Sequence, residues 1–530
     1  MQVSNTHLFK QWVPEWLART VIFGILLTSL LGFGLYYSNA ESAIGYYGIE
    51  PADIQYSVVL MYAAGVSFFA LDFRIVKYFS PRKYILAALA LNFTSYLVCF
   101  YIKDLGLFMV CRYAQGVACA LLCSVVLNSI FPRLHATRSR VIGYTVFYGG
   151  LQTSIPISAI YCSAMLHYFD FQWLFYGLII LMLPVLVTVL LTMNAKARFH
   201  KKMPLYQVDW VGYLFYAIFC CVFGYVLVYG QQLNWLDGPK VLFLSVLGAL
   251  LLMLFIVRET RLKRPLINLE LFKLPSFIIG LFLLIAFYVF KGTSGFAYSY
   301  IQGVLGVDPL NVIPIWTANI VGIALAMFVT ARFVLSGKPL IGIIICGFVV
   351  LALFYVYMLT FVSVTGETSQ FILPLFIHGA ACGILFVPIV IFTVSAVPPK
   401  IAYNVSMLGI FFRFIGFCLT IGINNYSQLY TRAAVREKLR ESVNETNPQL
   451  AHTLKGIQEN YSIFGNDPHT GNAASSGFLD KLVRQQIVAR SIRDYHDIML
   501  IGLLLLILLL LVIPGIRKIV LRLSGGTLPY

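Results

Sequence analysis

Fourteen apolar stretches, with Lys and Arg collected at every second gap between them, restrict this chain more than any other feature. Roughly 20 apolar residues are needed to cross ~30 Å of hydrocarbon. The stretches fall at 19–44, 56–75, 84–103, 105–131, 141–163, 171–193, 209–231, 240–258, 276–302, 310–334, 339–362, 369–395, 404–428 and 498–516. Inside a bilayer each backbone polar group must be satisfied within its own segment, so runs of this length are helices. The expected fold class is an all-α integral membrane protein with fourteen transmembrane helices. Most gaps are short, so neighbouring helices pack as antiparallel hairpins.

The bases orient the array, because cytoplasmic loops retain Lys and Arg. Of 38 bases, 24 fall on the expected cytoplasmic side, 2 in short outer loops, 9 in one long outer loop and 3 inside spans. The cytoplasmic groups include Arg74, Lys77, Arg82 and Lys83; Arg133, Arg138 and Arg140; Lys196, Arg198, Lys201 and Lys202; and Arg258, Arg261, Lys263 and Arg264. An even number of spans puts both termini in the cytoplasm, in agreement with Arg517, Lys518 and Arg522 after the last one. The expected location is the inner (plasma) membrane, multi-pass. The net charge of +17 is thus assigned to topology and to anionic lipid, with no nucleic acid as partner.

Composition agrees: 60% of residues are hydrophobic and 11% charged, against about 25% charged in soluble chains. All ten cysteines lie in apolar spans, so neither disulfides nor a metal site is expected. Trp12 and Trp16 precede the first span as interfacial anchors, and the N-terminus reads as an uncleaved signal-anchor. The long loop 429–497 is expected outside the cytoplasm. Amphipathic helices are expected at Ala433–Ser442 and Leu479–Tyr495, with turns or disorder at Gly465–Pro468 and Gly471–Gly477. Two readings of this loop stand: a helical cap over the last two spans, or a docking element for a periplasmic partner.

Several motifs stand in order along the chain: Arg112-Tyr-Ala-Gln115-Gly116 in span 4; Asp209-Trp-Val-Gly212 with Gly230 and Trp235 around span 7; and Glu259 with Arg264-Pro265-Leu266-Ile267-Asn268-Leu269 and Phe272. Gln302-Gly-Val-Leu305-Gly306, and Arg413 with Gly416 in span 13, complete the series. Taken together they resemble the major facilitator superfamily and within it the fourteen-span drug:proton antiporters, the multidrug efflux permeases. The resemblance implies two six-helix bundles plus two inserted helices: 1–193, an inserted pair with linkers at 194–275, and 276–530 including the loop 429–497. Spans 1, 4, 9 and 12 would line a central cavity worked by rocking of the halves. The sequence also departs from the family. The register puts Gly32 where the first-span signature has an acid. The loop after span 2 keeps the basic end Arg82-Lys83 without the Asp or glycines, and span 5 keeps Pro156 while Ile155, Ala159 and Ile160 replace glycines.

An ionisable group inside a span costs ~2.5–3.5 kcal/mol on insertion scales, so each needs a reason. Three bases are interior: Arg112, Lys291 and Arg413. Glu41 is the one candidate interior acid, while Asp72 and Asp209 are placed near cytoplasmic ends. Arg112 either bonds carbonyls and Gln115 to hold spans together or forms a proton or substrate relay with Glu41; a third reading puts Glu41 outside the membrane in a wetted loop. Lys291, in a segment opened at Gly292 and Gly295, either snorkels to headgroups or is a cavity cation that contacts an anionic substrate or changes protonation during transport. Arg413, with Gly409 and Gly416, is expected in packing, and His378 is a candidate for titration or for hydrogen-bonded packing. Tyr36, Tyr37, Tyr288, Tyr298 and Tyr300 are candidate cavity aromatics.

No Ser-His-Asp set, HExxH or P-loop is present, so an enzyme and direct ATP coupling are excluded. The expected function is secondary transport: export of amphipathic or aromatic small molecules against inward proton flow, by alternating access. Substrate and protons are the expected partners beside the bilayer, and a periplasmic adaptor protein is a candidate one; no cofactor is expected. An anionic metabolite with different or no proton coupling is the first alternative, and a non-transporting receptor or scaffold the second.

Overall fold

The computed structural model describes residues 8–36, 39–134, 139–199, 205, 208–262, 265–363, 366–398, 403–443, 447–463 and 468–512. Tyr37, Arg138, Lys201, Lys202, Lys263, Arg264, Gly465, Asn466, Asp467, Arg517, Lys518 and Arg522 lie outside the described residues. Among the described residues, regular structure is helical apart from one isolated bridge between Phe9 and Met193. In chain order the helices are α1 (Glu15–Gly34), α2 (Ala40–Tyr47), α3 (Pro51–Ile75), α4 (Pro81–Tyr101), α5 (Leu105–Ile130) and α6 (Ser139–Tyr168). They continue with α7 (Trp173–Thr192), α8 (Trp210–Tyr229), α9 (Pro239–Arg261), α10 (Pro275–Lys291), α11 (Ser294–Gly303) and α12 (Ile313–Leu335). The last are α13 (Leu340–Phe361), α14 (Ile372–Ser395), α15 (Tyr403–Ser442), α16 (Pro448–Ile463) and α17 (Pro468–Val512).

Local chemistry sets many of the starts. Pro51 opens α3 behind a capping box in which Glu50 and Asp53 satisfy each other's backbone N–H. Asp104 accepts from the Leu107 N–H at 2.8 Å to start α5, and Asp209 accepts from Gly212 at 3.0 Å to start α8.

Among the described residues, thirteen segments are long and apolar enough to cross a membrane. The fifth expected span, α6, is 30 residues long but is not among them. Its middle is diluted by Gly149, Gly150, Gln152, Thr153, Ser154, Pro156 and Ser158, and it packs inside the molecule on α1, α12 and α14. At the other extreme, α9 packs chiefly on α8 and leaves Phe243 66% and Met253 63% exposed, as a lipid-facing surface requires. α1 and α3–α7 pack on one another, as do α10 and α12–α15 with α17. The two sets meet where α6 touches α12 and α14 and where α3 touches α15; α8 lies against both α3 and α15. Among the described residues, Arg133 bonds Glu15 at the start of α1, and Arg82 lies 3.5 Å from the carbonyl of Met193, which bridges Phe9; these bases share the face where α1 begins, called here the basic face.

Two expectations are corrected, on span 1 and on the long loop. Span 1 is two helices, because α1 stops at Gly34. Its terminal carbonyls, left free by the helix end, are taken up from α6 and α5: Ser158 Oγ donates to Leu31 O (2.9 Å), Cys162 Sγ to Leu35 O (3.4 Å) and Arg112 Nη1 to Gly32 O (3.0 Å). Span 9 opens at Gly292–Thr293 into α10 and α11, as its glycine run leads one to expect. In the long loop, Gly471–Gly477 lie within α17 rather than in a turn, and Ala433–Ser442 simply continue α15. Strong helix formers carry α15 to 40 residues and α17 to 45. At ~1.5 Å per residue these are about 60 and 68 Å long, twice the hydrocarbon thickness, and α16 packs against α17.

Close helix contact rests on small residues. At Gly116 a β-carbon would fall inside the van der Waals shell of the Met61 carbonyl, which locks the α3–α5 crossing. Gly116→Val is therefore expected to lower the yield of monodisperse protein in size-exclusion chromatography severely, by analogy with overpacking costs of ~1–3 kcal/mol or more.

Candidate functional site

A cavity of about 330 Å³ lies between the two helix sets. Its walls come from α1, the start of α2, α3, α5, α6, α10, α11 and α15. Spans 1, 4 and 9 therefore line it as expected, but span 12 (α14) does not. α14 is drawn away because Gly379 and Gly383 seat it directly on the backbone of α12, leaving the wall to spans 2, 5 and 13. The lining is apolar and aromatic: Phe33, Tyr36, Tyr62, Tyr288, Phe296 and Phe417 face it. Tyr62 sits edge-on to Phe33 (5.4 Å), Phe414 (5.5 Å) and Phe417 (5.5 Å), forming a ring cluster across the two sets.

Two of the three interior bases reach this cavity. Lys291 Nζ donates to Gln152 Oε1 at 2.5 Å and lies 4.9 Å from the Tyr288 ring centre. Arg413 is 4% exposed, donates from Nε to Gly409 O (3.0 Å) and from Nη2 to Tyr148 Oη (3.3 Å), and stands 5.1 Å over the Tyr148 ring. Among the described residues no carboxylate lies within 4.0 Å of either. Both neutral partners, Gln152 and Tyr148, are on α6, which gives part of that helix's polarity a purpose. The expected packing role of Gly416 is seen, since a β-carbon there would lie 2.9 Å from Tyr288 Cβ. Arg413 itself, expected in packing, also faces the cavity.

Arg112 is fully buried but does not line the cavity. Besides Gly32 O, its Nη1 donates to Gln115 Oε1 (2.7 Å) and its Nε reaches Ser57 O (3.4 Å). Its guanidinium lies 4.8 Å from the Tyr36 ring, and Tyr36 is the cavity wall. Of the readings open for Arg112, the bonding to carbonyls and Gln115 is the one formed, and the pairing with Glu41 is not. With α1 ended at Gly34, Glu41 falls in the first turn of α2, where its side chain is exposed. At the position of the family's acid, Gly32 has no room for a side chain, because Tyr96 Oη occupies the space.

His378 is 5% exposed and lies behind the cavity. Its Nε2 is 3.0 Å from Lys291 O and its Nδ1 is 3.2 Å from Asn319 Nδ2. The carbonyl can only accept, so Nε2 donates, and Nδ1 accepts from the amide: a neutral ring that ties the end of α10 to α12. Pro156 is buried within α6, one turn past Gln152. Arg82 is half-buried, at 3.5 Å from Met193 O, and Lys83 is exposed.

Asp209 holds the inserted pair together. Both its oxygens accept from Arg258 on α9, the shortest bond being 2.7 Å. Burial pushes its carboxyl up, but the Arg258 guanidinium and the Gly212 N–H outweigh this and hold it below the usual carboxylate range. A depressed value contributes stability above the unfolded-state value that is lost as pH falls through the folded one. Thermal unfolding of Asp209→Asn should lose this acid-side component relative to the parent, with little change in the pH dependence above neutrality.

The residues that sequence reasoning missed are mostly amides, phenols and one acid. Gln55 of α3 and Asn425 of α15 exchange two hydrogen bonds (3.2 and 2.8 Å) across the two helix sets at the cavity end away from the basic face. Asp72 lies at the end of its span, as expected, but is 1% exposed, a burial that its position did not announce. Its signal was present: Gly65, Phe69, Asp72 and Val76 recur at helical spacing and so share one face of α3. Of the candidate tyrosines, Tyr36 and Tyr288 line the cavity, whereas Tyr298 stacks on Trp316 and Tyr300 bonds Ser363.

The sequence profile described as Major Facilitator Superfamily matches residues 21–421. The chain belongs to this superfamily. Among major facilitator proteins it is similar to the multidrug export protein EmrB of Escherichia coli, 23% identical over 361 residues, covering 65% of this chain and 67% of EmrB. It is also 23% identical over 300 residues to the probable multidrug resistance protein EmrY of Escherichia coli, covering 53% of each. Among solved structures, a mutant of the peptide transporter POT superposes with a TM-score of 0.61 at 15% identity, covering 97% of this chain and 96% of POT. The human organic anion transporter MFSD10 gives 0.50 at 13% identity, over 77% and 92%. The major facilitator fold is thus shown, and the protein is a multi-pass membrane transporter, not an enzyme.

Proposed function

We propose that this chain exports amphipathic, aromatic small molecules by alternating access of the central cavity, against inward proton flow. The observation that carries this reading is the aromatic cavity of about 330 Å³ enclosed by both helix sets, the size and lining of a small-molecule site. The Gln55–Asn425 exchange closes the end away from the basic face, and its breakage on rocking would expose the cavity there. The positive-inside rule puts the basic face, and with it both termini, in the cytoplasm of a cell with an inner (plasma) membrane. The names of the EmrB and EmrY relatives support efflux of drug-like compounds.

A specific observation favours substrates with an acidic group. Lys291 and Arg413 both face the cavity with neutral partners and, among the described residues, no carboxylate within 4.0 Å. An anion entering between them would gain charge-assisted bonds without displacing a counter-ion. On the far face the projecting α15, α16 and α17 offer a surface for a periplasmic adaptor protein.

The test is flux in proteoliposomes loaded with aromatic acids, bases and neutral analogues. An imposed pH gradient should drive accumulation of the acids, and each substrate addition should move protons. Accumulation that ignores the gradient would sink the proton-coupling claim, and equal handling of acids and bases would sink the anion claim.

A further inference from the structure

We propose that Asp72 is the proton carrier of the transport cycle, housed in a small chamber beside the substrate cavity and separate from it. This rests on the reading of the chain as a proton-driven exporter. The family position for a first-span acid is Gly32, with no space for a carboxyl, and Glu41 is exposed, so the membrane-embedded acid must be found elsewhere. Asp72 lies on α3, 1% exposed, at the end of a membrane-spanning segment.

The chamber holds about 10 Å³ of free space, lined by Phe69, Asp72, Val76, Lys77, Ser124, Asn128 and Met407. That volume is about one water probe. Ser124 faces the carboxyl across the chamber, while Oδ1 has no protein hydrogen-bond partner although it is buried. A water in the chamber is the natural partner for that oxygen and the natural donor or acceptor of its proton. Around it the titratable groups are Lys77, which lines the chamber, and the Cys123 thiol of α5; α15 presents only Met407. No ion pair to Asp72 occurs among the described residues.

The walls explain how such a site is coupled. Phe69 lines both the chamber and the substrate cavity, so it is the partition between them. Met407 belongs to α15, in the other helix set from α3 and α5, so separation of the sets on the basic face lifts it from the chamber. Sealing an ionised carboxylate away from water is costly, whereas the neutral acid seals cheaply. Closure therefore goes with a proton on Asp72, and opening at Met407 returns it. The carboxylate takes one H⁺ from water on one face and gives the same H⁺ to water on the other, with only O–H bonds made and broken.

The test compares the parent with Asp72→Asn in proteoliposomes, reading substrate binding, gradient-free substrate exchange and pH-driven accumulation. Asp72→Asn should bind and exchange within roughly threefold of the parent while losing at least about tenfold in driven accumulation. Undiminished driven accumulation by Asp72→Asn would overturn the inference. If that variant does not fold, the parent decides: a hydrophobic carbodiimide, which attacks protonated carboxyls in apolar sites, should label Asp72 at mildly acid pH and less at alkaline pH. Absence of label at Asp72, read by mass spectrometry, overturns the inference equally. Failure of the parent itself to accumulate substrate along a pH gradient would instead overturn the transport reading on which Asp72 depends.

Discussion

Arg112→Ala is expected to abolish transport and to destabilise the folded protein, while Glu41→Gln changes neither. The guanidinium is the partner of the Gly32 carbonyl, one of the free carbonyls at the end of α1, and of the Gln115 amide oxygen. Leaving two buried acceptors unpaired costs ~1–3 kcal/mol each, so about 2–6 kcal/mol in all. The same change removes the cation beneath the Tyr36 ring and so loosens a wall of the cavity. Arg112→Lys keeps the charge but not the planar fork, and an intermediate loss is expected. Glu41 is exposed on α2, where substitutions shift stability by about 0.5 kcal/mol or less. Thermal unfolding in detergent together with flux assays checks the whole series. A destabilising Glu41→Gln would restore the relay between these two residues.

The second large effect is expected at the cavity cations. Lys291→Met should weaken binding of aromatic acids far more than of neutral analogues, because a bond to a charged group is worth ~1.5–3 kcal/mol, or roughly 10–150-fold in Kd. Arg413→Gln should act in the same direction. It also removes the bond to Tyr148 that joins α15 to α6, so its neutral-substrate affinity falls too. The double variant should approach the sum if the two cations hold one anionic group independently. Isothermal calorimetry with a matched acid and amide separates these outcomes, and equal losses for both ligands would remove the anion reading.

Much of this was legible in the sequence because membranes make simple rules strict. Apolar length gave the spans, and the rarity of charge inside them singled out Arg112, Lys291 and Arg413 before any contact was known. What stayed hidden depends on partners distant in the chain. The apolar run 19–44 gives no sign that α1 stops at Gly34, because Ser158, Cys162 and Arg112 accommodate that end from other helices. Gln152 and Tyr148 look like ordinary polar residues in a weak span until Lys291 and Arg413 arrive beside them. The Gln55–Asn425 exchange joins residues 370 positions apart. Gly471–Gly477 carry turn residues, yet they are absorbed into α17, whose neighbours supply what local propensity withholds. Asp72 was discounted for lying near a span end, although depth along a helix does not decide what covers a side chain.

The unbroken run of α15 has a mechanical consequence. The helix carries Arg413 at the cavity and continues to Ser442, 29 residues further on by subtraction. At ~1.5 Å per residue that arm is about 43 Å long, so a tilt of roughly 10° at the cavity swings its tip by about 7 Å. A paired spin or fluorescent label near that tip would register the state of the binding site from outside the bilayer, like the needle of a gauge. Any molecule resting on the tip would feel each turnover as a stroke, and would load the cavity in return.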